Sequence, residues 1–385
     1  MLRKVVYAGA QATSFVQATR DLEALAETVL SRERVQRWTK RVGNERVAAA
    51  AAEAKHYQAL PLPAQRLSPT DQVPQVACVE MDGGRIQIRR RATPGDGPSY
   101  WRESLVGCLS SMTSSEQVAD PCPRLPKTFV DPRRIGDLAR EIKGFCSEVA
   151  TGEAVSTAPD ERPDRPRPLV RSVIATRQGL EVFAPLLAAA AHARGFNAAR
   201  RKAFLGDGSA SNWSVHRQFF SHYTPILDFT HAVCYVYQAA MAGRPPTCGW
   251  QDYCRWAQWL WNGQTSELIE AVAARAAQLG PPASDEPETS PRHLVAKVLG
   301  YLRNQRTRMD YPRYRQQGLP ITTSHVESTI KQVNRRVKGS EKFWDQGAEP
   351  LLQLVADYLS ETRPLAKFWR HRPRQLSGMR TRAPV

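Results

Sequence analysis

The stretch RRKAFLGDGSASNWSVHRQFF, residues 200–220, passes from an apolar, strand-like run into a helix-like one through Gly206-Asp207-Gly208. TPILDFTHAVCYVYQAA, residues 224–240, repeats the succession of a short strand and a helix. Two such units in tandem constrain the chain more than any other feature. They call for an α/β layer architecture, in which each element buries its apolar side against the next.

The remaining chain divides by period and punctuation. Residues 14–57 carry helical spacing, first through Phe15, Leu22, Leu25, Ala26 and Val29. The spacing resumes after Ser31, an N-cap type, through Val35, Trp38 and Val42. This second helix is loaded with Arg32, Arg34, Arg37, Lys40 and Arg41. The pair reads as a helix-turn-helix whose basic member would enter a major groove, or as a plain helical hairpin with a solvated basic face. LPLPAQRLSPTDQVP, residues 60–74, is a proline-broken linker. VACVEMDGGRIQIRRR, residues 76–91, predicts a hairpin turning at Asp82-Gly83-Gly84, and YWRESLVGCLSSM, residues 100–112, a third strand. A short helix is expected over 132–145, an exposed loop over 158–168, and a helix interrupted by Pro185 over 177–196. Residues 243–310 form a helical insertion whose clustered Trp250, Trp256, Trp259 and Trp261 suggest a satellite core rather than a base-stacking platform. Helices carrying Glu327 (320–339) and WDQGAEPLLQLVADYL (344–359) follow, then a basic tail over 363–385.

Bulk properties narrow the function classes. No run of eighteen apolar residues is present, so a membrane span is not expected. The first residues lack the sustained apolar stretch of a signal peptide. Seven cysteines without a CxxC argue against a zinc ribbon or a disulfide framework and for a reducing, cytoplasmic setting. The net charge of +17 over 385 residues suits a polyanionic partner, with double-stranded DNA foremost.

Against that background three carboxylates stand out. Asp82 ends the first strand, Asp207 ends a later one, and Glu327 lies on a helix near the C-terminus. The order of strands and helices, with a helical insertion before the last helix, is that of a ribonuclease H-like fold, a mixed sheet flanked by helices. In that arrangement two acids on central strands and one on a packing helix can hold two divalent ions for in-line phosphoryl transfer. All-oxygen ligands suit Mg²⁺ or Mn²⁺. The residues alone leave alternatives: Asp-Gly pairs make turns, and Ser324 with Glu327 could form a capping box. Asp228 is an alternative second acid, and Asp228 with His231 could serve to start a helix or assist the site.

The surroundings of the acids carry a resemblance. LGDGSASNWSVHRQFFSHYTPILDFTHA (205–232) and YRQQGLPITTSHVESTIKQVNRRVKG (314–339) resemble the second-acid and glutamate regions of Mutator-like insertion-sequence transposases, most closely the Kra-type group. VEMDGGRI is similar to their first-acid segment and LSRERVQRWTKRVG to their N-terminal helical region. The resemblance runs in patches from about residue 14 to 360. It implies a DDE transposase that cuts DNA at insertion-sequence ends and joins 3′ ends to a target, acting as a homo-oligomer on DNA. Asp82, Asp207 and Glu327 would be its metal-binding, catalytic acids. DNA contacts are expected from Arg34, Arg37, Lys40, Arg41, Lys331, Arg335 and Arg336. Thr322-Thr323-Ser324 stands where relatives have Gly-Ser-Gly, and relatives carry a longer N-terminal region with cysteines, which suggests a shortened member. The alternative is a decayed or host-recruited transposase that only binds DNA.

Overall fold

The computed structural model describes residues 1–87, 101–145, 165–338 and 347–372. Three N-terminal helices, α1 (Leu2–Gln11), α2 (Phe15–Ala26) and α3 (Arg32–Ala59), are followed by the short α4 (Leu62–Arg66). Ser14 and Ser31 accept hydrogen bonds from the Gln17 and Arg34 amides, so both anticipated starts are capped by a hydroxyl. The apolar stripe of α2 is narrower than expected: Leu22 is buried, but Leu25 is exposed, and Val29 is exposed beyond the end of the helix.

Next come β1 (Val76–Gln87), β2 (Trp101–Thr113), α5 (Pro132–Lys143), β3 (Arg167–Thr176) and α6 (Leu180–Ala193). β4 (Arg201–Gly206), α7 (Ala210–Phe219), β5 (Thr224–Leu227) and α8 (Phe229–Met241) realise the tandem strand–helix units. The helical region holds α9 (Pro246–Trp261), α10 (Thr265–Leu279), α11 (Pro291–Gln305) and α12 (Tyr311–Gln316). The chain closes with α13 (Ser324–Val337), α14 (Ala348–Leu359) and α15 (Pro364–His371). The exposed loop expected over 158–168 and the end of the basic tail lie mostly outside the described residues.

The five strands form one mixed sheet in the order β3-β2-β1-β4-β5, with β1–β2 and β2–β3 antiparallel and β1–β4 and β4–β5 parallel. The expected hairpin is corrected here. Asp82-Gly83-Gly84 lies inside one continuous strand, paired with Val106, Leu105 and Ser104 of β2. The glycines serve close packing: a Cβ on Gly83 would come 2.9 Å from Glu103 Oε1, and one on Gly84 3.0 Å from Ser104 Oγ. The third strand of the antiparallel set is therefore β3, which the expected elements did not include. The helix expected to break at Pro185 is also continuous, with Pro185 buried inside α6.

Alternation along the strands divides the interior in two. Leu105, Leu109 and Ile174 face a large core with Phe183 and Leu187 of α6, whereas Val106, Cys108, Val173 and Ala175 face a second core under α13 and α14. The tryptophans belong to the large core rather than to a satellite: Trp256 and Trp261 are buried, and Trp261 meets Phe229 edge-to-face at 4.9 Å. The second core also takes Val6, Ala10 and Val42 from α1 and α3. Arg46 of α3 and Asp357 of α14 form a buried pair at 2.8 Å, so the long basic helix is anchored on the body of the protein.

Candidate active site

The parallel register brings three aspartates level. Glu80 of β1 is opposite Leu205 of β4, and Gly206 of β4 is opposite Leu227 of β5. Continued to the next positions, these ladders set Asp82, inside β1, beside Asp207 and Asp228, which directly follow the C-terminal ends of β4 and β5. Open α/β sheets place ligands at this edge.

The glycines around Asp207 prove to be required. A Cβ on Gly206 would sit 2.8 Å from Asn212 Nδ2, and Gly208, at φ +98°, would bring one within 2.5 Å of Tyr301. Asp207 Oδ1 accepts from the Ser209 amide at 2.9 Å and from Asn212 Nδ2 at 2.9 Å. The Tyr301 hydroxyl donates to the Asp207 carbonyl at 2.9 Å, and Gln305 Nε2 to that of Gly208 at 3.0 Å. Helix α11 of the insertion thus fixes the backbone that presents Asp207.

Glu327 arrives from α13, which packs on β1 and β2. Val326, Val333 and Val337 are buried as the sequence pattern predicts, with Ile330 packed against the same core. The start of α13 has no side-chain cap from its N-cap residue Thr323. Instead Glu80 Oε2 accepts from the Val326 amide at 2.9 Å, while the Thr323 hydroxyl donates to Glu327 Oε1 at 3.2 Å. Glu80 is fully buried, and burial pushes its carboxyl up to about 8 although both its donors oppose the rise. Its signal in the sequence was a lone carboxylate inside the apolar run VACVEM.

Asp228 is fully buried and committed to structure. Its Oδ2 accepts from the His231 amide at 2.8 Å and from His231 Nδ1 at 2.6 Å, and its Oδ1 accepts from the Thr323 amide at 2.8 Å. It therefore starts α8, orients the imidazole and holds the lead-in to α13 with one side chain. Burial alone would lower the His231 pKa, but the hydrogen bond and charge of Asp228 raise it. His231 Nδ1 lies 3.8 Å from Glu327 Oε1.

The acids feel one another. Burial raises the Asp82 carboxyl above its ordinary range and the Asp207 charge adds to this, with the Gly83 amide opposing. Burial likewise raises Glu327, followed by Asp228, with His231 opposing. One oxygen of each expected acid is engaged: Asp82 Oδ1 by the Gly83 amide at 2.7 Å, Asp207 Oδ1 and Glu327 Oε1 as above. The other oxygen, Oδ2 of each aspartate and Oε2 of Glu327, has no protein partner among the described residues. Hard carboxylate oxygens are the donor type that cations of the Mg²⁺ or Mn²⁺ kind take, but those of Asp82, Asp207 and Glu327 do not gather within 4.8 Å of one another. Among the described residues it is Asp228, His231 and Glu327 that offer one ligand atom each within that distance. Both oxygens of Asp228 already accept hydrogen bonds from the protein.

The residues expected to meet DNA fall into different positions. Arg34, Arg37 and Arg41 are exposed along α3, with Lys40 half-buried beside them. Arg335 is exposed, and Lys331 is exposed but paired with Glu141 of α5 at 2.8 Å. Arg336 is corrected: it is buried, and its guanidinium donates to the carbonyls of Gly9 and Thr13, tying α13 to the end of α1.

Among known proteins, no family model matches the sequence and no curated protein matches it. No helix of the described residues is long and apolar enough to cross a membrane.

Proposed function

We propose that this chain is a DDE-type transposase on a ribonuclease H-like core, catalysing cation-dependent cleavage and strand transfer of double-stranded DNA. The observation that carries this reading is the placement of Asp82, Asp207 and Glu327 along one edge of a β3-β2-β1-β4-β5 sheet, each with a carboxylate oxygen that has no protein partner among the described residues.

Asp82, Asp207 and Glu327 would hold the cations. Bound Mg²⁺ or Mn²⁺ would supply Lewis-acid activation of water or a 3′-hydroxyl and neutralise charge at the leaving oxygen. The chain's own contribution is positioning. Asn212, Tyr301 and Gln305 fix Asp207 and its backbone, and Glu80 and Thr323 fix the start of the Glu327 helix. His231, fixed by Asp228 through Nδ1, keeps Nε2 as the ring nitrogen with which to hold or exchange a proton with a phosphate oxygen. Helices α2 and α3 would act as the helix-turn-helix, with Arg34, Arg37 and Arg41 spaced along one face to meet phosphates.

The test is nicking and strand joining on DNA carrying the element's ends, found by searching flanking genomic DNA for inverted repeats. Asp82→Asn, Asp207→Asn and Glu327→Gln should each abolish Mg²⁺-dependent cleavage while sparing DNA binding, since an amide is a far poorer ligand for a hard cation. Cleavage by Asp207→Asn near the parent rate would overturn the assignment. A parent that binds the ends but nicks them with neither Mg²⁺ nor Mn²⁺ would be the DNA-binding-only alternative.

A further inference from the structure

Lys143, the last residue of α5, reaches the acidic edge from outside the sheet. Its ammonium lies 3.7 Å from the centroid of the Tyr235 ring, which stacks on Tyr301 at 3.9 Å. Tyr301 is the residue whose hydroxyl holds the Asp207 carbonyl. Helix α5 packs on α8, which carries both Tyr235 and His231, so the lysine is delivered to the Asp207 side of the cluster.

Four features make this placement unusual. The side chain is half-buried, and burial lowers its pKa even though the charges of Asp207 and Asp228 pull it the other way. The same electrostatic contact is felt from the far side, where Lys143 opposes protonation of His231. Despite this acidic neighbourhood, Lys143 makes no ion pair among the described residues, and its ammonium sits over the Tyr235 ring. A ring face offsets only part of the cost of desolvating an ammonium. Two glutamates show what an ion-pairing role looks like here: Glu141, two residues earlier on the same helix, takes Lys331 at 2.8 Å, and Glu45 takes Arg372.

We infer that Lys143 is a phosphate-contacting residue of the site, its ammonium donating to a non-bridging oxygen of the DNA strand that lies across Asp207. A phosphodiester approaching Asp82, Asp207, Asp228 and Glu327 meets a strongly anionic edge. Lys143 is a cation held beside that edge without a carboxylate partner among the described residues. The contact with the Tyr235 ring restrains the long side chain, which reduces the rotamer entropy lost when an anion binds. The exposed Lys297 of α11, a like charge felt by Lys143, extends positive potential outward along the same rim.

This inference rests on the proposed DNA-processing function, and two readouts separate their failures. Binding of the full chain to end-bearing duplex is measured in EDTA across a salt series. Lys143→Ala should weaken affinity several-fold and reduce the log–log salt slope by about one unit, while Lys143→Arg retains both. Cleavage in Mg²⁺ by Lys143→Ala should fall in rate at saturating DNA and be partly restored by arginine. Unchanged slope together with unchanged rate would overturn the role. So would a lower melting temperature with an unchanged slope, since that is the mark of a counter-ion for the acids. If the parent binds DNA but does not cleave it, the slope alone decides: a loss of one unit supports Lys143 while the catalytic reading falls.

Discussion

At the scale of single residues, the site is held by backbone geometry that tolerates little. Gly208→Ala would impose a strained positive φ and drive a methyl group into Tyr301. The expected result is a loss of about 1–3 kcal/mol in urea unfolding and a fall in cleavage, because the Tyr301–Asp207 hydrogen bond breaks with it. An alanine variant that keeps the parent's stability would show that Tyr301 can move freely. Away from the site, His222 is held near a pKa of about 4 by burial, with Lys202 and Arg66 adding like charge, and its buried Nε2 has no hydrogen-bond partner among the described residues. A histidine depressed in the folded state binds fewer protons there than in the unfolded chain. Its contribution is therefore complete above the ordinary histidine value and is lost as pH falls toward 4. The difference in melting temperature between the parent and His222→Gln should change across that window and be constant above pH 7.

At the scale of elements, α13 is the part on which the proposed chemistry turns. Its valine stripe seats it on the sheet, and Glu80 fixes its N-terminus by a bond between residues far apart in sequence. Glu80→Leu would leave the Val326 amide buried without an acceptor, costing about 1–3 kcal/mol. Glu80→Gln keeps an acceptor oxygen and should retain most of that stability. Urea titrations of the two variants check this, and equal losses would mean that the charge rather than the cap holds the helix. Helix α11 has the matching role on the other side, where Tyr301 and Gln305 make the insertion part of the site rather than an appendage.

At the scale of the whole molecule, the N-terminal helices share one core with the helix that brings Glu327 to the acidic edge. Val6, Ala10 and Val42 pack with the α13 and α14 side chains, and the Arg46–Asp357 pair is buried between α3 and α14. Asp357→Ala would strand a buried guanidinium and should destabilise the protein by about 3–5 kcal/mol, read as an earlier unfolding midpoint. Removing residues 1–60 should accordingly cost folding as well as DNA specificity. A truncated chain that melts like the parent would show that α3 rests on the body without supporting it. The repelling carboxylates give a complementary expectation: Mg²⁺ should raise the parent's melting temperature and leave that of Asp82→Asn nearly unchanged.

Local pattern settled much of this in advance. The strand–helix succession around Asp207, the stripe of Val326, Val333 and Val337, and the Ser31 cap of α3 depend on near neighbours, and each formed as read. Other features depend on partners distant in the chain. Asp82 looked like a turn residue because Asp-Gly-Gly usually is one, yet β2 pairs through it, and that pairing made it mid-strand. β3 escaped notice because only its second half is buried, so RPLVRSVIAT shows no clear alternation until β2 lies beside it. Arg336 read as one more surface cation on a basic helix until α1 covered it. Glu80, Asp228 and Lys143 gained their places from register and packing across the sheet edge. Periodicity along a chain says which side of an element is apolar; only the assembled layers say which polar side chains are enclosed with one another.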